Sequence, residues 1–248
     1  MTDQPYKRPP ITEAIIQISF PDPLGADELQ KANIALRHHY PHHRNIRNVN
    51  VAVTLPPAPQ AVPSAQVRPV EEGHRRHSDD QAEIVVLWPR SFLVSQLAPY
   101  PGWSELMARF RRDWTTWKKA VTYRRVGRIG VRYVNRIDIP VAGQIVEYED
   151  YLRVYPQVPQ EFGPNQAYVV QVRFPMPTLG CNLMINSFPV ASPRIGHASY
   201  VLDQDIAREV DVPQNNEDLY KMLEDIHLKK NEVFEACITD RARELFRT

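Results

Sequence analysis

The alternation of apolar and polar residues is clearest in Arg124–Pro140, which reads R-R-V-G-R-I-G-V-R-Y-V-N-R-I-D-I-P. At a two-residue period Ile129, Val131, Tyr133, Ile137 and Ile139 fall on one face, and Arg124, Arg128, Arg132 and Arg136 on the other. A half-buried antiparallel strand is the simplest structure that satisfies both rows. The same period predicts strands at Glu13–Phe20, Val49–Leu55, Tyr168–Phe174, Cys181–Phe188 and Ser199–Val212. It also predicts a hairpin, Ile84–Trp88 with Phe92–Leu97, around Pro89-Arg90-Ser91.

Helical spacing takes over at Trp103–Ala120, where Trp103, Leu106, Met107, Phe110, Trp114 and Trp117 make one broad apolar stripe. Arg109, Arg111, Arg112, Lys118 and Lys119 are expected on its other side. A second long helix is predicted from Asn216, with Leu219, Met222, Leu223, Ile226, Val233, Phe234, Cys237 and Ile238 as its stripe. A shorter one is expected over Asp27–Tyr40, and Thr239 is placed to cap a last helix ending at Leu245-Phe246. The order predicts an α+β protein: an antiparallel sheet with long amphipathic helices packed on one face. Three strands followed by a long helix occur twice, which suggests an N-terminal half, residues 1–140, and a C-terminal half, residues 141–248. Within the first, Pro56–Gln81 shows neither period and is expected to be a mobile loop.

Composition narrows the function. A net charge of +1 argues against coating nucleic acid by bulk electrostatics, so any basic site must be a local patch. Glycine is scarce, 9 against 23 prolines, and neither G-x-G-x-x-G nor G-x-x-x-x-G-K-[ST] occurs. Many of the prolines flank alternating runs, where strands end. Cys181 and Cys237 have neither metal-ligand nor disulfide-framework spacing and suit a reducing compartment. Without a signal-like or spanning apolar run, the expectation is a cytoplasmic protein that does not enter membranes.

P-P-I-T-E-A-I-I near the start, P-Y-P-G-W at Pro99–Trp103, G-V-R-Y-V-N-R-I at Gly130–Ile137, and H-L-K-K-N-E-V-F-E-A-C-I-T-D-R-A-R-E-L-F at the C-terminus occur in one order along nearly the whole chain. Together they resemble a sporadically distributed family of uncharacterised bacterial and archaeal proteins. The resemblance implies no activity, cofactor or catalytic residue. Its patchy distribution is typical of mobile modules such as antiviral defence or toxin–antitoxin pairs.

The arginine row is the main candidate site. Arg128, Arg132 and Arg136, with Tyr133 and Asn135 in the same segment, present guanidinium forks able to hold phosphates, or carboxylates of a neighbouring strand. Asp203, Asp205, Glu209 and Asp211 share one face of another strand. Asp203 and Asp205 have the i, i+2 spacing to hold Mg²⁺, or this acidic face pairs with the arginines. The histidines of H-H-Y-P-H-H (His38, His39, His42, His43) and of H-R-R-H (His74, His77) read as surface residues, and His227 as packing at a stripe edge. No nucleophile motif is present, and no motif calls for a cofactor.

Two functions follow. One is a non-enzymatic binding subunit recognising a partner protein or a phosphate-bearing ligand, nucleic acid and nucleotide included, as a monomer or homo-oligomer. The other is a divalent-metal-dependent phosphodiesterase or nuclease using Asp203 and Asp205. A direct Arg–Asp ladder would remove both the metal and the exposed-phosphate variants and leave protein interaction.

Overall fold

The computed structural model describes residues 6–48, 51–54, 64–67, 71–141, 146–159, 161, 163 and 167–247. In chain order the elements begin with β1 (Ile11–Ser19), α1 (Ala26–Ala35), β2 (His42–Asn48), β3 (Val51–Thr54), β4 (Ser64–Val67), β5 (Glu71–His77), β6 (Glu83–Trp88), β7 (Ser91–Leu97) and α2 (Trp103–Ala120). There follow β8 (Arg128–Pro140), β9 (Val170–Met176), β10 (Cys181–Val190), β11 (His197–Arg208), α3 (Asn216–Cys237) and α4 (Asp240–Arg247).

Nine of these strands form one antiparallel sheet in the order β2-β5-β6-β7-β1-β8-β11-β10-β9, and β3 pairs with β4 separately. The sheet runs unbroken across residue 140, because β8 pairs with β1 on one side and β11 on the other. Alternation decides its faces. Ala14, Ile16, Ile18, Val85, Leu87, Phe92, Val94, Ile129, Val131, Tyr133, Ile137 and Ile139 are buried in one core with the apolar stripes of the helices. α1 and α2 cover β6 and β7, whereas α3 covers β8 and β11. No helix among the described residues is long and apolar enough to cross a membrane.

The strongest periods give elements at the expected places: α2 and the start of α3 agree to the residue, the β6–β7 hairpin lies within one residue, and β1 begins two residues earlier and ends one earlier than expected. Thr239 caps α4 as expected, its Oγ1 accepting from the Ala242 amide at 3.3 Å. Two expectations need correction. The stretch Pro56–Gln81 is not a structureless connection: β4 and β5 lie in it, while residues 55–63 and 68–70 are outside the described residues. β5 escapes a hydrophobic pattern because its inward residue is Arg76. That guanidinium is buried against α1, donating to Asn33 Oδ1 at 2.6 Å and to the Tyr40 carbonyl at 2.8 Å. Its paired edge, β2, is likewise exposed and polar, and so showed no apolar alternation.

The second correction concerns α2. Arg109 does not belong to an outer basic face but is buried, donating to the Ser95 carbonyl at 2.9 Å and to Gln96 Oε1 at 3.1 Å. Its neighbours are Tyr40 and the fully buried Asp113, which also takes a hydrogen bond from Arg112 Nε at 2.8 Å. Burial, and then the Asp113 charge, push the Tyr40 phenol up.

Candidate functional site

The arginine row lies on the sheet face opposite the helices, and the adjacent strand answers it with carboxylates. Arg132 holds Asp203 in a bidentate grip, Nε to Oδ1 at 2.7 Å and Nη2 to Oδ2 at 2.8 Å. Asn186 of β10 donates to the same carboxylate at 2.9 Å, and Gln171 of β9 donates to Asn186 at 2.8 Å. The chain of contacts therefore crosses four strands. Arg136 turns to its own strand and clamps Asp138 at 3.0 and 3.3 Å, with the Ser199 hydroxyl donating to that carboxylate at 2.6 Å. Burial pushes the Asp138 carboxyl up, but Ser199 and Arg136 together outweigh it and hold the group below its usual value.

Arg128 reaches Asp205 at 2.7 Å although Asp205 stands directly opposite Arg132. Gly130 makes this possible. A Cβ there would lie 3.0 Å from Arg128 Nη1 and 3.0 Å from Ala207 Cβ, so the guanidinium lies along the strand over a missing side chain. Asp205 is pushed up, chiefly by burial, against the opposing pull of Arg128 and Arg132. Arg124, which the period placed in the same row, lies before β8 and pairs with Glu28 at 2.6 Å.

The charge rows thus neutralise each other. Asp203 is only 3% exposed, so removing its partner strands a buried carboxylate. Arg132→Met should destabilise the protein by about 2 kcal/mol, less than a fully buried pair would because the arginine side chain keeps 45% of its exposure. With Asp203→Asn, a double-mutant cycle by chemical denaturation should give a coupling of ~1–3 kcal/mol. Additive losses would show that the two rows are independent surface charges.

Tyr133 and Asn135 do not join the arginines. Both point to the helix side, Tyr133 fully buried under α3 and Asn135 donating to the Leu202 carbonyl at 3.1 Å. The five residues expected as one site therefore divide between the two faces of β8. Tyr133 belongs to a second cluster. Its hydroxyl lies 2.8 Å from that of Tyr100 and 3.3 Å from His227 Nδ1, and His227 stacks on Trp103 with centroids 4.3 Å apart. Burial, then the Lys230 charge, lower the His227 imidazole to about 3, so it is neutral near pH 7. Burial pushes the Tyr100 phenol up to about 12.

Lys230 completes this cluster and carried no sequence signal, since a lysine inside a long amphipathic helix reads as a solvated position. Asp203 and Asp205 are taken up by arginines, and among the described residues no group of three or more His, Cys, Asp or Glu is placed to hold a metal ion. The first histidine run meets the second across β2 and β5: His42 stacks on His77, and His43 contacts His74 at 3.1 Å. A cleft of about 460 Å³ opens at the far ends of β8 and β11, rimmed by Arg8, Arg194, His197 and Arg241 but also by Asp138 and Glu244. No protein-family model and no curated protein matches this chain.

Proposed function

We propose that the protein is a non-enzymatic binding subunit whose sheet face opposite the helices docks a partner protein. The observation that carries this is the mutual pairing of Arg128 and Arg132 with Asp205 and Asp203, with Arg136 on Asp138. Arginines engaged in this way offer a phosphate few free donors, and the carboxylates offer a metal few free lone pairs. Around them Ile15, Val86, Leu93, Val134, Met184 and Phe188 are half-buried on the same face. Apolar patches rimmed by satisfied polar groups favour protein contacts. The strand order supports a further proposal, that the sheet is two related halves meeting at β1 and β8. In each half the first strand pairs with the last strand before a long helix, β1 with β7 and β8 with β11.

The test is capture of partners from the native host by wild-type protein and by an Ile15→Thr, Val134→Thr, Phe188→Thr triple variant. The substitutions keep β-propensity and remove apolar contact area. The partner's affinity should fall at least about tenfold with little change in unfolding midpoint. Retention of the partner at wild-type affinity would refute the docking face. So would oligonucleotide binding that falls steeply with salt, which would return the arginines to phosphate recognition.

A further inference from the structure

Lys230 points from α3 into the layer between that helix and the sheet, where it is 6% exposed. Its Nζ sits 3.7 Å from the centre of the Tyr133 ring. Among the described residues no carboxylate or other acceptor takes a hydrogen bond from it. Glu235, an acid whose charge acts on it, is itself held by Tyr6 at 2.6 Å and Arg243 at 2.7 Å. Buried ammonium groups are ordinarily paired, so a lone one facing an aromatic ring is unusual. Tyr100, Trp103 and His227 are partly exposed and join Tyr133 in one cluster, through the Tyr100 and Tyr133 hydroxyls, the Tyr133–His227 contact and the His227–Trp103 stack. Gly102, with φ of 121°, lies in the turn between Tyr100 and Trp103, and Glu224 accepts from Trp103 Nε1 at 2.5 Å.

We propose that this cluster is a binding site for small carbonyl compounds, which Lys230 captures as an imine. The amine lone pair attacks the carbonyl carbon, and the carbonyl π pair moves to oxygen. The nitrogen gives up its proton as the oxygen gains one. A second proton transfer releases that oxygen as water, leaving C=N, with no oxidant or reductant consumed. Protons move along the joined hydroxyls of Tyr133 and Tyr100 and the neutral Nδ1 of His227, all capable of exchanging roles as donor and acceptor. Desolvation in an apolar setting is the ordinary way a lysine is made nucleophilic, and here burial lowers the amine to about 7. This site is on the opposite side of the sheet from the docking face and stands or falls separately from it.

The full-length protein, incubated at pH 7 with acetaldehyde or pyruvate and sodium cyanoborohydride, should be alkylated first at Lys230. Peptide mass mapping should show that residue modified at least about tenfold faster than its neighbour Lys229, whose amine is ion-paired with Glu232 at 2.5 Å. The Lys230 rate should rise with pH and level off just above pH 7. The charged or titratable groups acting on Lys230 are Tyr133 from β8 and His227 and Glu235 from α3, and Tyr100 from the turn before α2 and Glu224 from α3 act on Tyr133. Tyr133→Phe should slow trapping at Lys230 and leave Lys229 unchanged, a selectivity that a general loosening of the fold would not produce. A Lys230 left unmodified, or modified no faster than Lys229, overturns the proposal.

Discussion

Replacing Lys230 by methionine should stabilise the protein by ~2–4 kcal/mol at pH 7. The unfolded chain carries this lysine as an ordinary cation, whereas burial lowers it in the folded protein from 10.5 to about 7. Folding therefore either drives off a proton or buries a charge. The penalty is complete below about pH 7, shrinks as pH rises, and vanishes near 10.5. Wild-type stability should accordingly climb between about pH 7 and 9.5, and the Lys230→Met profile should be flatter, as read by denaturant midpoints. Above that range the sign reverses for both proteins. Tyr40 and Tyr133 are raised by burial, so the unfolded chain loses their protons first and stability falls. Methionine is close to lysine in volume and keeps the packing, so a destabilised variant would show that the amine itself holds α3 to the sheet.

Trp114→Ala should destabilise the protein by about 3–5 kcal/mol, the range for truncating a large buried aromatic side chain. Trp114 stacks on Trp117 at 4.9 Å and on Phe20 at 6.2 Å, and meets Phe92 and Phe110 at 5.7 and 6.5 Å. These rings come from α2, β7 and the segment after β1, so the cavity would open where helix and sheet layers meet. Collapse around it is limited because Trp117 and Phe110 are themselves buried. A loss below about 1 kcal/mol in the denaturant midpoint would mean that this cluster is not central to the core beneath α2.

Legibility followed the size of the apolar signal. α2 was readable to the residue because six large apolar side chains at helical spacing all seek one face. β5 was not, since its place in the sheet is secured by Arg76 and by ladder bonds that any backbone can make. The arginine row and the acidic row were visible as patterns, yet phosphate, metal and paired-strand outcomes all remained open, with mutual pairing the most economical. Only the neighbours separated them. In β8 and β11, residues summing to one constant lie opposite each other, and that register puts Asp203 and Asp205 within reach of Arg132 and Arg128. Gly130 gains its meaning in the same way, from the guanidinium lying over it.

The sequence alone determined the strongly periodic elements, the faces of β1 and β8, the hairpin at Pro89-Arg90 and the cap at Thr239, since each follows from local periodicity or local backbone chemistry. Tertiary structure decided strand order, the pairing of the two charge rows, the burial of Arg109, and the placing of Lys230 over Tyr133, 97 positions away by their numbering. A charged side chain carries no mark of its own burial. Whether Arg109 or Lys230 meets water, a carboxylate or an aromatic ring depends on groups supplied by distant strands, and those come together only when the sheet closes against its helices.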